Sequence, residues 1–114
     1  MHEFSIVTAL LKMCEQNAKE NNATKITKVE VKIGKLSGVE PHFLEMTFNT
    51  FKENTLCDGC EFVMHVQDVI VKCDECQHES AISNNTFDKC PSCQSNQLRV
   101  VDGEEMYLMR LEME

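Results

Sequence analysis

The chain lacks the features that membrane, secreted and nucleic-acid-binding proteins share. Its uncharged apolar runs fall far short of the roughly 18 residues that cross a bilayer, and no basic segment leads into an apolar stretch at its beginning. Its 11 Lys and Arg residues are scattered among 19 acidic ones, which gives a formal charge of -8. Because phosphate backbones are bound by clustered basic residues, we expect a cytoplasmic protein that binds neither membranes nor nucleic acid.

The sequence also lacks a nucleophile–base arrangement, a P-loop and a Gly-rich phosphate cradle. We therefore expect a protein that is not an enzyme, and any GTP hydrolysis linked to it must come from a partner. What the chain does contain is cysteine, with seven in 114 residues. Because this number is odd and no export signal is present, short regular cysteine spacing favours metal binding over a disulfide framework.

Periodic apolar residues predict two helices. The first runs from Ser5, its expected N-cap, to about Asn21. Its expected apolar face comprises Ile6, Ala9, Leu10, Met13 and Cys14. The second helix runs from Glu40 to about Glu53, with Pro41 in the first helical position, where the missing N–H costs nothing. Its expected apolar stripe comprises Phe43, Leu44, Phe48 and Phe51.

Apolar runs predict the strands. Residues 28–33 alternate, which predicts a half-buried strand with Val29, Val31 and Ile33 on one face. Residues 61–72 are extended and apolar, and the continuous apolar run in their second half favours a central position in a sheet.

The end of the chain predicts a β-hairpin. Residues 98–101 and 104–112 read as strands, and the intervening Asp102-Gly103 is a favoured two-residue turn. We expect the last strand to carry Tyr107, Met109 and Leu111 on one side.

Two cysteine pairs lie in residues 73–96, a polar, turn-rich segment that is poor in large apolar residues and that we call the cysteine knob. Cys73 and Cys76, like Cys90 and Cys93, are separated by two residues, so that a tight turn presents both sulfurs to one ion. Two such turns provide the four thiolates of a closed, structural zinc site, and metal binding contributes the folding free energy that this segment lacks. Rubredoxin-like iron is the main competitor, and a pair of redox motifs or unliganded thiols would have the same spacing.

These elements together predict an α/β (α+β) fold. We expect a small three-stranded mixed sheet with two helices packed on it, plus an inserted four-cysteine zinc-binding subdomain. The predicted boundaries are 1–72 and 97–114 for the α/β domain and 73–96 for the zinc-binding subdomain.

Three further cysteines lie outside that segment. Cys57 and Cys60 flank the turn Asp58-Gly59, and they could bind a second metal, compete for the first or have no such role. With two sulfurs and no nearby histidine, we favour the absence of a permanent ligand role. Cys14 is expected to be a buried core thiol.

Three of the four histidines have ordinary interpretations. We expect His42 and His65 to lie at the surface or to make satisfied polar contacts. His78 follows Cys76 by two residues, which is close enough to replace a thiolate that is protonated or lost.

His2 has a different significance because of its position. The N-terminal amine of Met1, the amide nitrogen between residues 1 and 2 and the His2 imidazole can close fused chelate rings around one cation. The amide nitrogen of Glu3 can complete a plane of four nitrogens. Ni(II) and Cu(II) favour that geometry and Zn(II) does not.

The sequence resembles the HypA/HybF family of hydrogenase and urease nickel-incorporation proteins. The opening Met1-His2-Glu3-Phe4-Ser5-Ile6 and the following amphipathic helix look like the start of that family. The likeness continues through Val29 to Gly38, the two spaced cysteine pairs and the acidic, apolar C-terminal strand, so it covers essentially the whole chain.

The resemblance implies a nickel metallochaperone for [NiFe]-hydrogenase, with urease as a further recipient, that works with the nickel-handling GTPase HypB. By the family pattern, His2 is the essential nickel ligand, with nearby backbone nitrogens and the adjoining Glu3. Structural zinc is held by Cys73, Cys76, Cys90 and Cys93. The implied recipients are the hydrogenase large subunit or urease assembly proteins, and the chain is expected to be a monomer or homodimer.

The chain departs from the family pattern in two places. It carries the additional Cys57 and Cys60 pair, and Gln94-Ser95 stands where a histidine would follow the second cysteine pair of the knob. Two different functions compete with nickel delivery. One is a zinc-ribbon module that binds protein or nucleic acid, which the charge opposes, and the second is a small thiol redox protein.

Overall fold

The computed structural model describes residues 3–82 and 89–114. Its elements in chain order are α1 (Glu3–Glu20), β1 (Ile26–Gly34), α2 (Pro41–Phe51), β2 (Glu61–Gln67), β3 (Val69–Cys73), β4 (Glu79–Ile82), β5 (Leu98–Asp102) and β6 (Met106–Met113). The strands form two three-stranded sheets, with the orders β2-β1-β6 and β4-β3-β5. Within the described residues, neither helix combines the length and apolarity that spanning a bilayer requires.

The first sheet is the predicted mixed sheet. Its central strand β1 pairs in parallel with β2 and antiparallel with β6. As the alternating pattern predicts, Val29, Val31 and Ile33 are buried, and they share one apolar core with buried residues of both helices. The α+β class and the packing of two helices on this sheet are therefore confirmed.

Within the described residues, helix α1 already includes residues that precede the predicted N-cap. It starts at Glu3, so the prediction that Ser5 is the N-cap is wrong, and Ser5 lies inside the first turn. The buried face comprises Val7, Leu10, Cys14 and Ala18. This face is rotated from the predicted one, and Met13 is 42% exposed. The helix ends as expected near Asn22, which has a left-handed φ of 56°.

Helix α2 follows its predicted start closely. Glu40 is the N-cap, and its side chain accepts a hydrogen bond from the backbone N–H of Phe43 at 2.7 Å, while Pro41 occupies the first turn. The predicted apolar stripe is only partly correct, because Phe43 and Phe51 are exposed. The buried members are Leu44 and Phe48, and the Phe48 ring stacks on Phe62 of β2 with 4.3 Å between ring centroids.

The prediction of one strand over residues 61–72 is wrong. The chain leaves the first sheet after Gln67, passes Asp68 and enters the second sheet as β3. The second half does occupy the predicted central position, since β3 pairs antiparallel with both β4 and β5. Apolar content alone does not show where a strand changes its partner.

The predicted C-terminal hairpin is also wrong. Strand β5 pairs with β3 in the second sheet, and β6 pairs with β1 in the first. The turn at Asp102 and Gly103 exists, with Gly103 at a φ of 94° and its N–H donating to Asp102 Oδ1 at 2.8 Å. This turn carries the chain from one sheet to the other. Strands β3 and β5, at 69–73 and 98–102, thus flank the cysteine knob predicted at 73–96.

A β-bulge explains why the predicted face of β6 is wrong. Glu30 pairs with Arg110 and Val31 pairs with Leu108, so Met109 is an extra residue in β6. An extra residue reverses which side chains point inward beyond it. The residues that pack on the core are Met106, Leu108, Leu111 and Met113, whereas Tyr107 and Met109 are 46% and 53% exposed.

The two sheets meet where three backbone segments come into contact. The N–H of Gly34 donates to the carbonyl of Glu105 at 3.0 Å, and the N–H of Leu36 donates to the carbonyl of Gly103 at 2.8 Å. A Cβ on Gly103 would lie only 2.8 Å from the backbone oxygen of Asp68. We call Gly34, Gly103 and Asp68 the backbone junction. Its two glycines allow this approach because they have no side chain.

We predict that Gly34→Ala destabilises the protein by about 3 kcal/mol, the upper range for overpacking. The new Cβ would collide with the backbone carbonyl of Gly103 and lie 2.9 Å from the Glu105 oxygen. The measurement is urea unfolding of the metal-loaded protein, followed by circular dichroism.

Gly38→Ala is the matched control. Gly38 has a φ of 78°, but among the described residues beyond its two chain neighbours no atom lies within 4 Å of the position that a Cβ would take there. We therefore expect only the backbone strain of about 1 kcal/mol. Equal destabilisation of the two variants would contradict the importance of the close approach at Gly34.

Candidate metal centre

The two cysteine pairs form turns with the same hydrogen-bond pattern. In the first turn the Gln77 N–H donates to the Cys73 carbonyl at 2.9 Å, and in the second the Gln94 N–H donates to the Cys90 carbonyl at 2.9 Å. Gln77 and Gln94 both have left-handed backbones, with φ of 66° and 67°. The repeated geometry follows from the repeated two-residue spacing, and it turns both sulfurs of each pair toward the same point.

The four sulfurs converge on one position. All four Sγ atoms, from Cys73, Cys76, Cys90 and Cys93, lie within 4.8 Å of one another. Cys73 Sγ is 3.5 Å from Cys93 Sγ, and Cys76 Sγ is 3.6 Å from Cys90 Sγ. A tetrahedron of thiolates with metal–sulfur bonds of about 2.3 Å has sulfur–sulfur edges of about 3.8 Å. The cluster therefore has the size and donor set that fit a tetrahedral zinc ion.

Backbone groups favour the thiolate form in both turns. The N–H of Cys76 donates to Cys73 Sγ at 3.5 Å, and this bond is the main reason that the pKa of Cys73 is lowered to about 7. The backbone N–H of Cys93 is the main cause that lowers the pKa of Cys90. Because a metal binds the thiolate and not the thiol, these N–H groups prepare both buried sulfurs for metal ligation.

The second sheet holds the two turns side by side. Cys73 is the last residue of β3 and pairs with Leu98 of β5. The N–H of Asp74 donates to the Gln97 carbonyl at 2.9 Å, and Arg99 Nε donates to Asp74 Oδ1 at 2.8 Å. The turn containing Cys73 is thus connected directly to the strand that follows the turn containing Cys90.

The predicted nickel ligands Met1 and His2 lie outside the described residues. The third, Glu3, is the first residue of α1, and its Oε2 accepts a hydrogen bond from the backbone N–H of Glu40 at 3.4 Å. The neighbouring Phe4 ring packs edge-on against Phe51, with centroids 5.0 Å apart. The beginning of α1 therefore lies against α2.

The other histidines fit their ordinary interpretations. His65 Nε2 lies 3.3 Å from Glu30 Oε1, which makes the predicted polar contact, and His42 is exposed. His78 is exposed, and in the described part of the chain it does not belong to the group of four converging ligands. His78 therefore lies outside the cysteine cluster.

Sequence reasoning missed the surroundings of the remaining cysteines. Cys14 is buried as predicted, but Cys57 and Cys60 are also buried in the same apolar core. The two-residue spacing of Cys57 and Cys60 was the sequence signal that drew attention to this pair. For Cys14, the signal was its place on the predicted apolar face of α1. No local pattern shows that the three thiols are buried in one core.

Comparisons with known proteins agree over the whole chain. A family model described as "Hydrogenase/urease nickel incorporation, metallochaperone, hypA" matches residues 1–113. The chain is 51% identical over 114 residues to hydrogenase maturation factor HypA of Shewanella oneidensis, covering 100% of this chain and 96% of that protein. Its identity to HypA of Aquifex aeolicus is 48% over 114 residues, covering 100% and 98%. The solution structure of the Ni metallochaperone HypA from Helicobacter pylori superposes with a TM-score of 0.71 at 34% identity, over 99% of this chain and 97% of that one.

We predict that Cys73→Ser abolishes metal binding by the four-cysteine cluster and unfolds residues 73–96. One of four ligands is lost, and the segment has little apolar surface to bury without metal. Metal analysis after dialysis against a chelator should give about one zinc per wild-type chain and almost none for the variant.

His78→Ala provides the matched control, since it alters a neighbouring potential ligand outside the cluster. It should retain zinc at the wild-type level. A full equivalent of zinc in Cys73→Ser, or zinc loss in His78→Ala, would contradict the four-cysteine assignment.

Proposed function

Because this chain belongs to the HypA family of hydrogenase/urease nickel-incorporation metallochaperones, we propose that it binds Ni(II) at its N-terminus and delivers it during [NiFe]-hydrogenase maturation. The observation that carries the proposal is the combination of a Met1-His2-Glu3 beginning with four converging cysteines in one chain. We propose urease as a second recipient of the nickel. The chain acts as a carrier and not as a catalyst.

The zinc assignment rests on the chemistry of the donor set. Cys73, Cys76, Cys90 and Cys93 would hold the ion, and four thiolates at tetrahedral spacing leave it no open coordination position. The ion would supply a crosslink between two turns and no reaction chemistry. We therefore assign it the structural role of keeping the segment beside the second sheet folded.

The nickel assignment rests on the chemistry of the first three residues. The amine of Met1, backbone amide nitrogens and the His2 imidazole provide a planar nitrogen set, with Glu3 adjoining. Ni(II) accepts such a plane, and a competing ligand can approach it from either face. Nickel then leaves by ligand exchange, which fits an affinity in the micromolar range that allows both loading and release.

The proposed role requires a nucleotide-hydrolysing partner and a recipient for the nickel. A HypB-type GTPase would provide nucleotide hydrolysis, since the sequence contains no P-loop. The hydrogenase large subunit or urease assembly proteins would receive the nickel. A reducing, cytoplasmic compartment fits this function because the thiolates of the cysteine knob must stay reduced to bind metal.

We predict that His2→Ala weakens nickel binding at least tenfold, because it removes the imidazole that closes the chelate. Isothermal titration calorimetry of the tag-free protein with Ni(II) measures the change in nickel affinity. His42→Ala is the matched control, as it removes an exposed histidine at the beginning of α2 and should leave the affinity unchanged.

Acetylation of the N-terminal amine tests the same site independently, since it removes a second ligand without a change of sequence. It should weaken binding to a similar extent while zinc content stays constant. Equal nickel affinity in wild type and His2→Ala, or nickel bound through the knob sulfurs in absorption spectra, would reject the proposed site.

A further inference from the structure

The outer edge of the first sheet, at β6, has no strand beside it in the described part of the chain. The sheet order is β2-β1-β6, so β6 pairs with β1 on one side only. Its residues, Met106–Met113, include no proline or lysine, and six of the eight are apolar. Proline and lysine commonly protect a free strand edge from pairing, as does a bulge. The bulge of β6 lies at Met109, and residues 110–113 beyond it form a regular edge.

The hydrogen bonds of Glu114 show which backbone groups of this edge face outward. The Glu114 N–H donates to the Lys25 carbonyl at 2.9 Å, and the Glu114 carbonyl accepts from the Lys25 N–H at 3.3 Å. Both groups of Glu114 therefore point toward the β1 side. Because alternate residues of a strand direct these groups to the same neighbour, the N–H and carbonyl groups of Leu111 and Met113 point away from β1. They are available to a further strand.

A groove runs along the same edge. It has a volume of about 540 Å³ and lies between the end of α1, at Asn17 and Asn21, and residues 108–111 and 113 of β6. The two asparagine amides donate to carbonyls of their own helix, those of Met13 and Asn17, both at 2.8 Å. The helix side of the edge is therefore bordered by open space, where side chains of an added strand would lie.

The opposite face of β6 carries charges at alternate positions. The side chains of Arg110 and Glu112 are 65% and 43% exposed, whereas Leu111 between them packs on the core. In the register of β6 with β1, Arg110 lies opposite Glu30 and Glu112 lies opposite Lys28. Two rows of charge thus reach the edge of the sheet. One ends in a positive side chain and the other ends in a negative one.

We propose that this edge is the interface of a homodimer, in which β6 pairs antiparallel with β6 of a second copy about a two-fold axis at Leu111. Arg110 of each copy then lies opposite Glu112 of the other, because these residues stand one position before and one position after the axis. Each row of charge continues across the interface with alternating sign, as glutamate, arginine, glutamate and lysine. Opposite charges at directly paired positions of two strands stabilise the pairing.

The charges and the backbone both favour this register over its neighbours. A two-fold axis at residue 110 would oppose two arginines, and an axis at residue 112 would oppose two glutamates. Like charges in directly opposite positions destabilise a strand pair. An axis at Leu111 instead joins residues whose N–H and carbonyl groups face outward, so the two copies exchange a pair of backbone hydrogen bonds there.

The resulting sheet would be continuous, with six strands. Opposing side chains of an antiparallel pair lie on the same face, so the helices of both copies would cover one face and the charged rows would lie on the other. The groove borders α1 at Asn17, roughly 20 Å along the helix from Glu3 at 1.5 Å per residue. Dimerisation would therefore leave both N-termini accessible.

Charge reversal at the paired positions tests the interface. Sedimentation equilibrium of tag-free, zinc-loaded and nickel-free protein measures the dimer dissociation constant, in salt that screens charges beyond about 8 Å. We expect a reversible dimer for the wild type. Arg110→Glu and Glu112→Arg should each weaken association about tenfold, since each variant opposes like charges at two positions.

A mixture of the two variants separates specific pairing from a general effect of charge. In a dimer of one Arg110→Glu chain with one Glu112→Arg chain, both opposing pairs again join a glutamate to an arginine. We expect the mixture to form mixed dimers with at least the affinity of the wild type. Recovery in the mixture would also show that both variants are folded.

Lys12→Glu is the matched control. It changes the net charge by the same amount as Arg110→Glu, but Lys12 lies on the side of α1 that borders Phe51 and Leu56. Its dimer dissociation constant should equal that of the wild type. An equal weakening in the two variants would show that overall repulsion, and not pairing at β6, controls association.

Backbone amide exchange, followed residue by residue, tests the register independently. The N–H of Leu111 should exchange more slowly at high than at low protein concentration, because it gains a hydrogen bond in the dimer. The N–H groups of Arg110 and Glu112 face β1 and should exchange at the same rate at both concentrations.

Four outcomes would overturn the proposal. The wild type stays monomeric up to millimolar concentration, the two charge reversals have no effect, their mixture stays monomeric, or Lys12→Glu weakens association as much as Arg110→Glu. None of these measurements requires nickel, so failure of the interface and failure of the proposed function are distinguishable.

Discussion

The close approach of three backbone segments at Gly34, Gly103 and Asp68 is the constraint on which the arrangement of both sheets depends. The chain passes between the sheets twice, after β2 and after β5, and both passages lie at this junction. A side chain on either glycine would separate the backbones that hydrogen bond there. Lys32 of β1 adds a contact across the same region, with its Nζ 2.8 Å from Asp102 Oδ2. The junction thus positions the second sheet, and with it the cysteine knob, relative to the helical layer.

The two sheets are stabilised by different physical means. The first sheet and both helices bury one continuous apolar core that includes Phe48 and Val31. The buried apolar residues of the second sheet lie mainly in β3, where Val69 and Val71 are the examples. Beyond β3, the knob brings together two turns whose sulfurs face one another. A metal ion substitutes there for the hydrophobic burial that so short a segment cannot provide.

The sequence is informative wherever a structure depends on near neighbours. The spacing of Cys73 and Cys76 predicts a metal turn, and the alternation in β1 predicts its buried face. It is uninformative where a distant segment decides the outcome. The extra residue Met109 reverses the inward face of β6 only because β1 imposes a register. Similarly, β2 ends at Gln67, before Asp68, because the residues that follow pair with strands of the second sheet. The burial of Cys14 and Cys57 in one apolar core likewise depends on packing between α1 and a distant loop, which no local spacing records.

The four knob sulfurs are unequal in their access to solvent. Cys73 and Cys90 are buried, whereas Cys76 and Cys93 are exposed. Each turn therefore contributes one sheltered anchor and one sulfur on the outer rim. Cys73 and Cys90 would hold a bound ion from the protein side, and Cys76 and Cys93 would hold it from the solvent side. Access to an ion held in the knob would therefore be from one side, at the rim formed by Cys76 and Cys93.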